Sequence, residues 1–238
     1  MKKILSLSLL AVAITSTSVF ATTINIRHEW KPEFGDKEQG NADRIAVSHR
    51  FANGIGFEVE AKWKSNNEAA FSNLSGNGQQ ANLSYRYKLS ESFTLTPQAK
   101  LETSEKGANY QGNLTLGYKV NDDVSTSIRY RYNYFNGKDA TIDNNHYNRI
   151  TLAASYSGVQ NFGFGASTDY TFRQEGTVQY GTSKQGISEI NLTAEYKGFE
   201  SGWRPFIEVG VTPEYKYKTD DERDDWRPRY RVGMKYSY

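Results

Sequence analysis

Arginines in this chain keep step with one another: Arg129 with Arg131, Arg229 with Arg231, and Arg44 with Arg50 each sit an even number of residues apart. A guanidinium is a planar fork of donors that grips a carboxylate through two parallel hydrogen bonds, which the compact lysine ammonium cannot do. Such groups in a fixed register could hold a carboxylated solute or hand it on. Residues that would point to catalysis are sparse. There are three histidines, His28, His49 and His146, far apart in the chain and beside no evident serine or carboxylate partner, and there is no cysteine. General-base and nucleophilic chemistry draw on such pairings, and metal sites draw on clustered His and Cys. The sequence therefore predicts no enzyme, no catalytic residues, no metal site and no other cofactor.

The elements that must carry these arginines show themselves by a period of two. At the C-terminus Tyr230, Val232, Met234, Tyr236 and Tyr238 alternate with Arg229, Arg231, Gly233, Lys235 and Ser237. Strands place successive side chains on opposite faces, so the two sets face opposite ways. The same pattern recurs in Ile24–Trp30, Ile45–Phe51, Ile55–Trp63 and around Leu83-Tyr85-Tyr87. It continues in Phe93–Leu101, Leu114–Tyr118, Ile128–Tyr132, Ile150–Tyr156, Phe162–Phe172, Ile190–Tyr196 and Ile207–Val211, about twelve segments in all. Asn53-Gly54 is the signature of a two-residue hairpin turn. Short turns there and at 90–92, 121–123, 158–161 and 198–202 alternate with long polar loops near 32–42, 65–79, 135–146, 174–186 and 214–228, and a tighter one near 104–108.

The N-terminus decides the compartment. Lys2 and Lys3 precede an apolar run from Ile4 to Ile14, and Val19-Phe20-Ala21 ends the segment on small residues. This is the layout of a cleaved secretory signal, residues 1–21, leaving a mature chain from Thr22 to Tyr238. Beyond it no apolar run is long enough for a membrane helix, and mean hydropathy is −0.73, yet 14% of residues are aromatic. Alternating strands average to that hydropathy while one face stays apolar. The predicted fold is an all-β transmembrane antiparallel barrel of about twelve strands spanning 22–238. It is placed in a bacterial outer membrane, against lipid and lipopolysaccharide, with both termini in the periplasm.

If the apolar set faces lipid, the interleaved set faces the lumen. That assigns to a substrate path Arg27, Arg44, Arg50, Arg86, Arg129, Arg131, Arg149, Arg173, Arg204, Arg229 and Arg231, with Lys62, Lys88, Lys100, Lys119, Lys197 and Lys235. The inward acids are Glu29, Glu58, Glu60, Glu102, Asp169, Glu189, Glu195 and Glu208, about half as many. Lys2 and Lys3 leave with the signal, so 27 of the 29 basic residues remain against 27 acidic ones. A neutral chain is thus sorted into a basic interior and an acidic rim, the latter concentrated at Asp220, Asp221, Glu222, Asp224 and Asp225. Barrels of about eight strands are filled by side chains and those of about sixteen leave a wide channel, so about twelve make a narrow one. A narrow pore lined with one sign of charge between low-dielectric walls favours anions. Enclosed basic residues are not displayed to nucleic acid. The acidic run lacks calcium-loop spacing and reads as a solvated loop. Sequons at Asn73, Asn82, Asn113 and Asn191 read as chance matches. The same alternation also suits a salt-bridged plug serving as a structural or adhesive surface protein, and both readings stand at this point.

Longer stretches add a resemblance. Arg27-His28-Glu29, Asp43-Arg44-Ile45 through Ser48-His49-Arg50-Phe51-Ala52-Asn53-Gly54, and Asp122-Asp123 with Ser127-Ile128-Arg129-Tyr130-Arg131 resemble the oligogalacturonate-specific porin family (KdgM type). So do Trp203-Arg204-Pro205 with Glu208-Val209-Gly210, and Arg229-Tyr230-Arg231-Val232-Gly233. The resemblance implies a monomeric twelve-stranded porin whose basic lumenal tracks pass acidic oligosaccharides, products of pectin breakdown. It also implies kinship with a sialic-acid channel. The matching basic positions are Arg27, Arg44, Arg50, Arg129, Arg131, Arg204, Arg229 and Arg231.

Overall fold

A computed structural model describes residues 22–34, 38–66, 73–173, 185–214 and 225–238. The segment read as a signal, 1–21, and most of the acidic run, 220–224, lie outside the described residues. The described chain is strand throughout: β1 (Thr23–Lys31), β2 (Gly40–Arg50), β3 (Ile55–Asn66), β4 (Ser75–Tyr85), β5 (Tyr87–Lys88), β6 (Phe93–Ser104), β7 (Gly107–Lys119), β8 (Val124–Gly137), β9 (Asn145–Tyr156), β10 (Phe162–Arg173), β11 (Gln185–Tyr196), β12 (Trp203–Glu214) and β13 (Asp225–Ser237).

Each strand pairs antiparallel with its sequence neighbours, except that β4 and β5 do not pair with each other, and two further pairings, β1 with β13 and β4 with β6, close the ring. β1 pairs with β13, Ile26 opposite Met234, and β4 and β5 both pair with β6. β4 and β5 are therefore two halves of one wall strand, parted at Arg86, whose backbone N–H donates to Gly54 O at 2.9 Å. The wall has twelve positions, as the alternation predicts. Closure leaves no strand edge in the wall, which a bilayer demands because it offers no partner for a bare backbone amide. At the seam the two chain ends meet: Thr22 N donates to Tyr238 O at 3.2 Å and Tyr238 N to Thr22 O at 3.3 Å.

The outer face is the apolar set. Leu83, Leu114, Leu152, Leu192, Ile207 and Val232 stand exposed on it, as lipid-facing side chains must in a protein without its bilayer. Aromatic residues gather at both rims. Trp203, Tyr236 and Tyr238 follow one another at the end bearing the termini, with ring centroids 4.8 and 5.8 Å apart. Trp30 stacks on Tyr230 at 5.3 Å at the other end. Polar pairs interrupt the outer face: His28 Nδ1 lies 2.7 Å from Asp43 Oδ1, next to the row of Trp30, and Tyr130 donates to Asn148 Oδ1 at 2.6 Å.

Three sequence expectations need correction. The Asn53-Gly54 turn is a three-residue turn, not a two-residue one. Phe51 N bonds Ile55 O at 2.8 Å and Gly54 N bonds Phe51 O at 2.9 Å. Only Gly54 of the pair has positive φ (95°), whereas a two-residue type I′ turn needs it at both positions. Second, strands run past the alternating segments into the stretches read as long loops: β2 begins at Gly40, β8 reaches Gly137 and β13 begins at Asp225. Hydropathic alternation stops where the bilayer stops, but backbone pairing continues into water. Third, β11 starts at Gln185, and a register shift opposite Asp169/Tyr170 pairs Ile187 with Tyr170, so Ile187 faces outward where unbroken alternation from Ile190 would turn it inward; Glu189 faces inward as alternation predicts.

Candidate functional site: the lumen

The ladder places most of the predicted basic residues on the inner face, cross-strand to other polar residues; Arg86, between β4 and β5, and Lys197, just past β11, have no place in it. Arg27 sits opposite Arg44, Arg131 opposite Asn113 and Arg149, Arg129 opposite Thr151, and Arg231 opposite both Glu29 and Glu208. Arg173 ends β10 opposite Tyr147; its side chain lies outside the described residues. Lys119 departs from the lumenal reading, because its ammonium turns 2.5 Å onto Asp122 in the exposed turn that follows.

What sequence alone cannot show is how the charges pair, and the pairing divides the basic set. One group is neutralised at the closing seam. Arg231 donates to Glu29 Oε2 on β1 at 2.6 Å and to Glu208 on β12. Arg229 donates to Glu189 Oε1 and Asn191 Oδ1 on β11, each at 2.5 Å. Two arginines thus bridge three glutamates across four adjacent strands. A second cluster joins β2, β3 and β6: Arg44 binds Glu60 at 2.7 Å, Lys62 binds Glu102, and Lys100 lies 3.6 Å from Glu102. On β9 and β10, Arg149 donates to Asp169 Oδ2 at 3.1 Å and Thr171 Oγ1 at 3.0 Å. Toward the termini Lys235 binds Glu195, and Arg204 lies 4.0 Å from it.

The other group has no carboxylate within 4.0 Å among the described residues: Arg27, Arg50, Arg86, Arg129, Arg131, Lys88 and Lys197. Neutral partners orient some of these. Arg129 NH2 donates to Thr151 Oγ1 at 3.0 Å, and Arg131 Nε to Asn113 Oδ1 at 2.7 Å. Arg50 clamps its own hairpin, donating to Gly54 O at 2.7 Å and Ser84 Oγ at 3.0 Å. Gly56 makes that possible, since a Cβ there would lie 2.8 Å from the Arg50 guanidinium carbon. In the ring order β1 and β8 stand opposite each other, so Arg27 faces the wall that holds Arg129 and Arg131.

Two features of the lumen escaped a reading that followed charge. Amides occupy the wall from β4 to β8: Gln80, Asn82, Gln98, Asn109, Gln111, Asn113 and Asn133 share rows with Lys100 and Arg131. They bond one another, Asn113 Nδ2 to Gln98 Oε1 at 3.0 Å and Asn133 Nδ2 to Asn109 Oδ1 at 3.0 Å. Their parity with the inward charges was the available signal. Aromatic rings also turn inward. Phe206 is buried beneath the Lys235 ammonium, 5.0 Å from the ring centre, and Gly233 leaves it room. Of the histidines, His49 Nδ1 meets Thr22 Oγ1 at 3.0 Å on the outer set, and His28 meets Asp43.

A closed antiparallel barrel, apolar without and charged within, with aromatic rims, is the architecture of a porin. The match to known proteins narrows this. Residues 15–238 match the family described as "Oligogalacturonate-specific porin protein (KdgM)". The chain is 31% identical to the oligogalacturonate-specific porin KdgM of Dickeya dadantii (strain 3937), over 99% of this chain and 100% of that protein. The chain belongs to the oligogalacturonate-specific porin family. Among solved structures, KdgM porin in complex with disordered oligogalacturonate is 28% identical, with a TM-score of 0.64 over 91% of this chain and 99% of that one. The NanC porin, 20% identical, shares the fold with a TM-score of 0.73 over 90% and 98%.

Proposed function

We propose that this protein is a passive outer-membrane conduit for acidic oligosaccharides, oligogalacturonates foremost. In this reading both termini and the short turns face the periplasm, the barrel works as a monomer, and its task is passage without catalysis. The observation that carries the reading is the split in lumenal charge. Seam arginines are neutralised in place, while Arg27 on one wall and Arg129 and Arg131 on the opposite wall keep guanidinium donors with no carboxylate within 4.0 Å among the described residues. A solute with repeated carboxylates supplies the missing counter-charge and can exchange one arginine for the next, which is what transit through a multi-site pore needs. Membership of a family whose characterised member is oligogalacturonate-specific supports the choice of sugar. A fully plugged barrel fits less well, because a plug would leave these cations desolvated and uncompensated.

The test is conductance of the purified protein in a planar bilayer under a KCl gradient, followed by added oligogalacturonate. Reversal toward the chloride potential, with block by oligogalacturonate and none by a neutral oligosaccharide of equal length, is the expected result. A silent or cation-selective barrel would overturn the reading.

A further inference from the structure

Within the lumen one acid stands apart. Each other inward strand carboxylate whose side chain is described has a basic group on it: Glu29 and Glu208 have Arg231, Glu60 has Arg44, Glu102 has Lys62, Asp169 has Arg149, Glu189 has Arg229 and Glu195 has Lys235. Glu58 has none within 4.0 Å among the described residues. It is held instead by two neutral donors on β4, Gln80 Nε2 and Asn82 Nδ2, each 3.1 Å from Oε1. Both bonds fall on one oxygen, so Oε2 keeps its acceptor sites. Glu58 borders a cavity of about 320 Å³ toward the end bearing the termini, lined also by Ser48, Arg50, Asn82, Ser84 and Gln98. That is the low end of small-molecule sites, about 300–1,000 Å³, and has room for one sugar unit.

An unpaired carboxylate in an anion path is a liability if charge is all the path reads, since it repels the solute. Its surroundings suit a different task. A carboxylate oxygen is the strongest neutral-hydroxyl acceptor a protein offers, and amides beside it supply both a donor and an acceptor. Ring diols need that combination, and they distinguish a sugar acid from any other carboxylate. We propose that the Glu58 recess is a hydroxyl-reading subsite: it takes the diol of one pyranose ring, with Glu58 Oε2 as acceptor and Asn82 and Gln98 alongside, while Arg50 meets the carboxylate. The proposal rests on the reading of the chain as an acidic-oligosaccharide porin and adds to it recognition of the sugar itself.

Charge and hydroxyl recognition predict opposite signs for one substitution. Current block is measured in planar bilayers with trigalacturonate and with N-acetyl-triglutamate amide, which carries three carboxylates but no ring hydroxyl. In Glu58→Gln the trigalacturonate block weakens about tenfold, the scale of one charge-assisted hydrogen bond, while the peptide block is unchanged or tighter. Asn82→Ala, which frees the Glu58 carboxylate from its hold, shifts the two blockers in the same directions and serves if Glu58→Gln fails to assemble. If Glu58→Gln tightens both blocks, or moves neither, the subsite is disproved. A wild-type channel that conducts chloride yet is blocked by the peptide and not by trigalacturonate overturns the oligosaccharide reading instead.

Discussion

Arg231 and Arg131 lie on the same face of similar strands, yet their partners give them different work. Arg231 bridges Glu29 and Glu208, each mostly buried, and so ties the first strand to the last two. Removing one member of a buried ion cluster leaves the others desolvated and uncompensated. Arg231→Gln is expected to destabilise the folded barrel by about 3 kcal/mol, read as a lower midpoint in urea unfolding or a lower temperature of the heat-induced shift in gel migration. Its anion selectivity should stay close to wild type. Among the described residues Arg131 has an amide beneath it and Arg129 a hydroxyl, with no carboxylate on either. The double substitution Arg129→Gln with Arg131→Gln should do the reverse: unfolding unchanged, chloride preference reduced roughly threefold, and oligogalacturonate block weakened about tenfold or more. Equal loss of stability in both variants would mean that the pairing does not sort structure from transport.

At the level of elements, the turns at 90–92 and 121–123 share one device. A side-chain oxygen at the start of the turn accepts the backbone N–H groups that lead into the next strand. Asn121 Oδ1 takes Asp123 N and Val124 N at 2.9 and 2.7 Å, and Ser90 Oγ takes Phe93 N at 3.0 Å. The first hairpin uses Gly54 as well, whose left-handed φ and 2.8 Å approach of a would-be Cβ to Arg86 O leave no room for a side chain. Gly54→Ala should cost about 1–3 kcal/mol and, because Arg86 marks the break between β4 and β5, should show as slower or incomplete assembly in refolding into detergent. The bulge at β11 works at the same scale: it sets Ile187 opposite Tyr170 on the outer face, while Glu189 stays on the inner face, where Arg229 holds it.

For the molecule as a whole, the governing quantity is the field of a basic lumen inside an apolar wall. Fixed charges act on permeating ions over a Debye length, about 10 Å at 0.1 M salt and about 3 Å at 1 M. Chloride preference measured by reversal potential should therefore fall steadily between those concentrations, while the conductance ratio of wild type to the Arg129/Arg131 double variant approaches one. Selectivity that ignored ionic strength would point to a steric filter rather than an electrostatic one. The acidic residues of the segment joining β12 to β13, Asp220, Asp221, Glu222 and Asp224, offset the lumen in net charge.

Alternation alone determined the barrel, its twelve wall positions, most of the residues that face inward (Lys119 and the bulge before Glu189 are the departures), and the aromatic close at Tyr238, because a period of two is written directly in the order of residues and a bilayer admits few other uses for it. Turn geometry at Asn53-Gly54 and the reach of the strands beyond the apolar segments were not legible, since both depend on backbone angles and pairing rather than on side-chain polarity. The sorting of the arginines was hidden for a deeper reason. Arg231 meets a carboxylate on β1, 202 residues away, and another on β12, 23 residues away. Only closure of the ring brings those strands together, so only the tertiary structure decides which inward charges neutralise one another and which, like Arg129 and Glu58, have no ion-pair partner among the described residues.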